Sequence, residues 1–407
     1  MTGFLLESAG FLLRMLHLVA AIAWIGESFY FVMLDRALKP PKHGAPGVHG
    51  ELWSVHGGGF YHKQKYLVSP PSMPEELHWS KWKSYTTWLS GFALFALLYL
   101  HSPQVYLIDP AVAALSTVQA ITLALAFPLI GWIAYDALCR AIGFRDALLG
   151  AVVGALVLAL AYAATHLFAG RAAFLLVGAT LATIMSANVF FVIIPGQKRM
   201  VASLARGETP DPIHGMRGKQ RSVHNTYFTL PVVFAMLSIH FATAYAHAHS
   251  WLVLALFMAA GALIRQFFVS WHGGGRAWWL LAAGAALLVG ALAWLAPRVD
   301  TPDGATVAAA DAAVDPWGSS PSTAQIKPLI SRHCAVACHG TRPNLLPVAP
   351  KALTLESEAQ IERAAALIHQ HTVVLRTMPP GNMTNLSEEG RAAIGRWYTA
   401  RVPPPAP

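Results

Sequence analysis

Eight long apolar runs constrain the fold of this chain more than any other feature. They lie near residues 9–34, 84–101, 111–136, 147–168, 171–194, 226–248, 251–270 and 277–296. Runs of about 20 apolar residues cross a hydrocarbon core of ~30 Å as helices, because lipid offers the backbone no hydrogen-bond partners. Only 12% of the residues are charged, against about 25% in soluble domains. The sequence therefore predicts an all-α transmembrane bundle of about eight helices embedded in a lipid bilayer.

The basic residues predict the orientation of this bundle. Odd-numbered connections between the runs contain Lys or Arg, whereas the second and sixth connections contain none and the fourth contains only Arg171. Because cytoplasmic loops carry the excess of basic residues, both termini are predicted to be periplasmic, in a bacterial inner membrane. The net charge of +9 is thereby explained by topology, and no nucleic-acid partner is expected.

The composition changes after Pro297, which suggests three parts. Residues 1–297 form the transmembrane domain, and residues 298–322, rich in Ala, Asp, Pro, Thr and Ser, are predicted to be a flexible linker. Residues 323–407 are predicted to form a small helical domain on the periplasmic side.

This last domain contains a motif typical of covalent haem attachment. Cys334 and Cys338 supply two thiols for the haem vinyl groups, and His339 follows directly as an iron ligand. Met378, in a loop stiffened by Pro379 and Pro380, is the expected sixth ligand, with Met383 as the second choice. A final helix is predicted to begin at Ser387, and Trp397 and Tyr398 would pack it against the first helix of the domain.

The motif resembles that of single-haem c-type cytochrome domains, with one difference. Three residues separate the thiols instead of the usual two, although residues four apart still share a helix face. A structural zinc site is the alternative, and it needs a fourth ligand such as His333 or His369. A buried thiol pair is the other alternative. We predict one covalent haem c.

Histidines inside the apolar runs suggest a second, b-type haem. His17 and His240 fall in the outer halves of the first and sixth runs, where two imidazoles could ligate one iron. His17 with Trp24-Ile25-Gly26 also resembles the first helix of membrane haem proteins of the HemJ and CopD-like group. Alternatively, each histidine simply bonds a neighbouring helix. We interpret Cys139 as structural.

Two segments predicted on the cytoplasmic side combine cations, amides and aromatic rings. They are residues 56–88, with Gly57-Gly58-Gly59, and residues 217–231. Such a set suits a flat, anionic, hydrogen-bonding substrate. Alternatively, the cations only set topology and the aromatic residues only anchor the interface.

Three motifs resemble bacterial membrane-bound urate oxidases, in which a membrane domain is fused to cytochrome c. They are Gly57 to Tyr61, His78-Trp79 with Tyr85 to Phe92, and His224 to Tyr227 with Thr229 to Val232. The resemblance implies oxidation of urate to 5-hydroxyisourate with oxygen from water. It also implies that electrons leave through the cytochrome domain to a cytochrome c or terminal oxidase, without hydrogen peroxide.

Under this resemblance, site roles can be assigned by residue. His224 is predicted to handle protons, and Asn225, Arg217 and Lys63 are predicted to bind the substrate. The principal alternative is a haem relay from quinol to cytochrome c without substrate chemistry. A copper-uptake protein is a weaker alternative, because no Met-rich or Cys-containing cluster is predicted on the outer face.

Overall fold

A computed structural model describes residues 2–42, 46–296, 317–346, 349–350 and 353–401. The described residues are mostly helical and form two separate hydrophobic cores, one before and one after the predicted linker. Residues 298–316 of that linker lie outside the described residues. The N-terminal part consists of α1 Thr2–Ala37, β1 Val48–His56, β2 Gly59–Tyr66, α2 Trp82–Phe95, α3 Pro103–Tyr106, α4 Thr117–Ile142, α5 Asp146–Leu167, α6 Gly170–Ala187, α7 Ile194–Ala205, α8 Pro212–Leu237, α9 Ala242–Tyr245, α10 Ser250–His272 and α11 Trp278–Leu295.

Six helices within the described residues are long and apolar enough to cross a membrane. They are α1 from Phe4, α4, α5, the continuous helix Gly170–Ala205, α10 and α11. The other two predicted runs are helical but differ in form. Helix α2 has 14 residues and continues as a π-helical segment, Ala96–Leu100. Helix α8 begins with a polar half and ends at Leu237, before a 3-10 turn at Ser238–His240.

The surface of the bundle is apolar and several of its polar side chains are buried. Phe11, Leu12 and Ile22 of α1 are each at least 60% exposed, as expected for side chains that face lipid. Thr180 and Asn188 of the central helix are fully buried. Apolar side chains on the surface and polar side chains in the interior are the reverse of the distribution in a soluble protein. This distribution supports a membrane bundle.

Small residues allow the central helices to approach closely. Helix α6 packs against α2, α4, α5 and α8. A Cβ atom added to Gly178 would lie 2.8 Å from the Ala235 Cβ, so α6 and α8 meet almost backbone to backbone. A Cβ atom added to Gly261 of α10 would lie 3.0 Å from the Leu230 Cβ and 3.4 Å from the Pro231 Cδ of α8. Such interfaces of small residues are typical of membrane helices.

The fold is not wholly α-helical, and this corrects the all-α prediction. Strands β1 and β2 form an antiparallel hairpin in which His56 pairs with Gly59. Gly57 and Gly58 form its two-residue turn, both with positive φ (58° and 79°), a conformation that glycine adopts without strain. The glycine run therefore forms a β-turn. We call the end of the bundle that carries it the hairpin end.

Pro195 explains an irregularity between α6 and α7. Proline has no amide hydrogen to continue the helical ladder. A π-helical segment, Asn188–Ile193, ends two residues before it. Wider π turns often occur at functional sites, and this one begins at a fully buried asparagine.

The C-terminal part consists of α12 Thr323–Ile330, α13 Glu358–Arg363, α14 Ala365–His369 and α15 Glu388–Thr399. Its core includes Ile326, Ile361 and Ile394. The prediction of a final helix beginning at Ser387 is confirmed, because the Ser387 hydroxyl caps α15 by accepting from the Gly390 amide. Trp397 is fully buried in this core and donates to Thr323 of α12.

Candidate functional site

A buried polar network joins α4, α6 and α8 near the hairpin end. It centres on His224, whose Nδ1 lies 2.7 Å from the Tyr135 hydroxyl oxygen. Asn188 donates from Nδ2 to Tyr135 (3.2 Å) and to Oδ1 of Asn225 (2.8 Å). Tyr135 and Asn188 are fully buried, and Asn225 is 8% exposed. The structure thus brings the predicted pair His224 and Asn225 into one cluster.

The backbone of α6 sets the direction of this network. The Met185 carbonyl can only accept, so Asn225 Nδ2 donates to it (3.0 Å) and Asn225 Oδ1 faces Asn188. Asn188 Nδ2 therefore donates to Tyr135, and the Tyr135 hydroxyl donates its own hydrogen to His224 Nδ1. A neutral His224 then carries its hydrogen on Nε2, and this is the atom left for a substrate.

A buried ion pair completes the network. Arg221 is 4% exposed, and its NH2 lies 2.6 Å from Oδ1 of Asp136. Its NH1 donates to Asn188 Oδ1 (3.4 Å), and the guanidinium lies 4.9 Å from the centre of the Tyr135 ring. The second Asp136 oxygen accepts from Arg140 (2.7 Å). A buried charge held in this way fixes the side chains around it.

The other two predicted substrate residues lie outside this network. Arg217 is exposed near the start of α8. Lys63 is on β2, where it donates to Ser54 (2.6 Å) and lies over the Tyr30 ring. Neither residue has a contact with His224 in the structure as described. Their role in substrate binding stays a prediction.

Tyr135, Asp136 and Arg221 were not among the predicted site residues. Asp136 ends the third apolar run, and an acid at that position is costly unless it is paired. This signal was available in the sequence. Cys139, interpreted as structural, is one turn further along α4, with its sulfur 4.0 Å from His224 Nδ1.

The two histidines predicted to hold a b-type haem have different surroundings. The Nδ1 of His17 contacts the Thr87 carbonyl (3.0 Å) and the Ser90 hydroxyl (3.2 Å) on α2. That contact orients the ring and leaves Nε2 available as a ligand. His240 is exposed in the 3-10 turn after α8. The b-type haem stays a prediction, with His17 the better placed of the two.

The residues predicted to bind haem c line one pocket in the C-terminal part. Cys334, Cys338, His339 and Met378 all border it, together with Met383. His339 Nδ1 lies 3.0 Å from the Leu353 carbonyl, so it donates there and leaves Nε2 free for an iron. Burial raises the pKa of Cys334 to about 12 and also raises that of Cys338. Two neutral thiols and an oriented imidazole on one pocket fit a covalently attached haem.

Local helix geometry accommodates the extra residue between the thiols. Residues Ser331–His339 form a π-helical segment, which directly continues α12. A π turn holds one residue more than an α turn. Both thiols and His339 therefore reach the same pocket despite the three-residue spacing.

No group of three or more His, Cys, Asp or Glu side chains is placed to hold a metal ion among the residues that the structure describes. The zinc alternative required a fourth ligand beside Cys334, Cys338 and His339. His333 borders the same pocket, but its Nδ1 contacts the Thr384 carbonyl (2.8 Å). His369 stacks on Tyr398 instead.

The fold and the buried network define a polytopic helical membrane protein with a polar site inside its bundle. The family model described as urate oxidase N-terminal matches residues 3–296, and the chain belongs to this family. It is thus a urate oxidase-related protein. No curated protein sequence and no solved structure matches it.

Proposed function

We propose that the chain is a membrane-bound urate oxidase of the PuuD type, whose electrons leave through its own C-terminal cytochrome c. The family match over residues 3–296 is the observation that carries the assignment of urate as substrate. The convergence of Cys334, Cys338, His339 and Met378 on one pocket supports the cytochrome part. Localisation in a bacterial inner membrane, with periplasmic termini, belongs to the same proposal.

The proposed reaction balances without dioxygen. Urate and water give 5-hydroxyisourate, two protons and two electrons. A haem c held by Cys334 and Cys338, with His339 and Met378 on the iron, would supply a one-electron acceptor. A soluble cytochrome c or a terminal oxidase would take the electrons onward.

The buried network suits the proton part of this reaction. With Tyr135 donating to Nδ1, His224 offers Nε2–H to an oxygen or nitrogen of the substrate. The reaction releases protons, so His224 acts as the acceptor in the other tautomer, which carries its hydrogen on Nδ1 and donates it to the Tyr135 oxygen. Nε2 is then free to take a proton from urate or water. Arg221 holds the amides that orient this pair.

The placement of the C-terminal part agrees with an electron exit far from the hairpin end. Its turn Pro380–Asn382 follows Met378 and packs against α3. A Cβ atom on Gly381 would lie 2.6 Å from the Ile108 carbonyl oxygen. Residues 103–109 form the connection that has no Lys or Arg, which the charge rule assigns to the periplasm.

Isotope labelling tests the proposal. Purified protein in nanodiscs is supplied with urate and oxidised cytochrome c in ¹⁸O-labelled water, under air. We expect labelled 5-hydroxyisourate, reduced cytochrome c and no hydrogen peroxide. Label incorporated from dioxygen, or peroxide formed in step with urate loss, would contradict the proposal. Reduction of cytochrome c that depends on a quinol but not on urate would identify the relay alternative.

A further inference from the structure

Arg265 is a buried cation for which the described residues provide no counter-charge. It lies on α10, seven residues before the helix ends at His272, and is 3% exposed. Its Nε and NH2 atoms have no hydrogen-bond partner. An unsatisfied buried charge costs several kcal/mol, and inside a membrane it marks a functional site by default. Arg221, by comparison, is paired with Asp136.

Aromatic rings and an amide surround Arg265. The Phe29 ring of α1 lies against its guanidinium, 4.1 Å from the ring centre. Tyr227 of α8 donates to the side-chain Oε1 of Gln266, the residue after Arg265. Helices α1, α8 and α10 thus meet around a cation, two rings and an amide.

The carboxylates of α1 near this site pair with groups other than Arg265. Glu27 accepts from Lys83 (2.7 Å) and Ser80 (2.8 Å), both near the start of α2. Asp35 pairs with Lys65 of β2 (2.6 Å). Neither carboxylate neutralises the guanidinium of Arg265, so the charge is available to an external anion.

We propose that Arg265, Phe29, Tyr227 and Gln266 bind a planar organic monoanion, and that this anion is urate. This inference rests on the proposed function. Nε and NH2 form one edge of the guanidinium fork, which can donate two parallel hydrogen bonds to a deprotonated urate edge. The Phe29 ring can cover a flat face of the anion.

The site adjoins the proton network through α8. Tyr227 follows His224 by three residues, and residues three apart are neighbours on a helix surface, about 5–6 Å between Cβ atoms. The anion site and the His224 pair therefore lie on adjoining faces of the same helical turn. Substrate binding and proton transfer would therefore take place on adjoining faces of α8.

Binding measured without turnover tests the proposal. Urate binding is measured by equilibrium dialysis against anaerobic protein in nanodiscs, with no oxidant present. Losing a hydrogen bond to a charged group costs about 1.5–3 kcal/mol, so Arg265→Gln is expected to raise the Kd roughly 10- to 150-fold. Arg199→Gln, which changes an exposed arginine of α7, is the matched control and should bind like the wild type. An unchanged Kd in Arg265→Gln overturns the proposal.

Charge selectivity and thermal stability separate a binding role from a structural one. Wild type should prefer urate, a monoanion at neutral pH, over neutral xanthine, and Arg265→Gln should lose this preference. Without urate, Arg265→Gln should melt no lower than wild type, because the charge it removes is unpaired. A lower melting temperature with unchanged selectivity would assign a structural role. If Arg265→Gln does not fold, Arg265→Lys replaces it, because lysine keeps the charge but lacks the guanidinium fork. Arg265→Lys should bind urate more weakly than the wild type. A wild-type Kd in Arg265→Lys would count against the proposal.

Failure of the proposed function can be distinguished from failure of the proposed anion site. Wild-type protein that neither binds nor oxidises urate contradicts that function. The planar anion orotate then tests the site itself, through its effect on the melting temperature. Stabilisation by orotate that Arg265→Gln abolishes supports an anion site for another substrate, and no effect in either protein rejects it.

Discussion

The hydroxyl of Tyr135 connects the buried network to His224, so Tyr135→Phe tests the network most sharply. The substitution leaves the ring in a fully buried position and removes one oxygen. His224 Nδ1 then loses its hydrogen-bond partner, and Asn188 keeps only one of its two acceptors. A buried polar group left unsatisfied costs about 1–3 kcal/mol. With partial relaxation of Asn188, we expect a loss of about 2–3 kcal/mol in the free energy of unfolding.

The same change should slow turnover through the orientation of His224. If about 1.4–2.8 kcal/mol of transition-state stabilisation is lost, kcat for urate falls roughly 10- to 100-fold. KM should change little, because the proposed anion site at Arg265 is intact. Tyr162→Phe is the matched control, since this tyrosine of α5 is 52% exposed and its ring contact with His166 is retained.

Stopped-flow reduction of the protein by urate, combined with thermal unfolding in nanodiscs, measures both effects. Reduced stability with an unchanged kcat per folded molecule would make Tyr135 a packing residue and refute its role in proton transfer. An unchanged kcat together with unchanged stability would refute the network itself.

Three further predictions concern the ion pair, the C-terminal part and the first helix. Asp136→Ala should destabilise the bundle by about 3 kcal/mol, because it removes the carboxylate that pairs with the buried Arg221. The double variant Asp136→Ala with Arg221→Met should recover part of the lost stability in thermal unfolding. Burial lowers the pKa of His369. The neutral imidazole therefore contributes to the stability of the C-terminal part above pH ~6.5, and this contribution is lost as the pH falls. His369→Phe should reduce the loss of stability at acidic pH, measured by circular dichroism. A Cβ atom at Gly91 would lie 2.8 Å from the His17 ring, so Gly91→Ala should lower the b-type but not the c-type haem content, and an unchanged b-type spectrum would count against His17 as a ligand.

Local patterns were sufficient to predict much of this fold. Apolar runs predict long helices because lipid leaves the backbone no other partner. Ser387 predicts the start of α15 because its hydroxyl caps free amides. Cys334, Cys338 and His339 lie within six residues, so their spacing alone could indicate a shared pocket.

The hairpin and most of the buried network depend on less local information. Gly57 and Gly58 form a turn only because the flanking segments pair as strands. Tyr135, Asn188 and His224 are separated by 36 residues or more and meet through packing of α4, α6 and α8. Arg265 could have been singled out, because it interrupts the seventh apolar run. Its missing counter-charge is visible only once the neighbouring helices are placed.

The central claim is that urate delivers its electrons to the protein's own cytochrome. Anaerobic titration of oxidised protein with urate, followed at the c-type absorption band, tests it most directly. The account predicts reduction of the haem, with two reducing equivalents per urate, and it predicts no c-type band in the variant Cys334→Ser with Cys338→Ser. A c-type band that stays oxidised while urate is consumed, or wild-type protein that shows no c-type band, would contradict it.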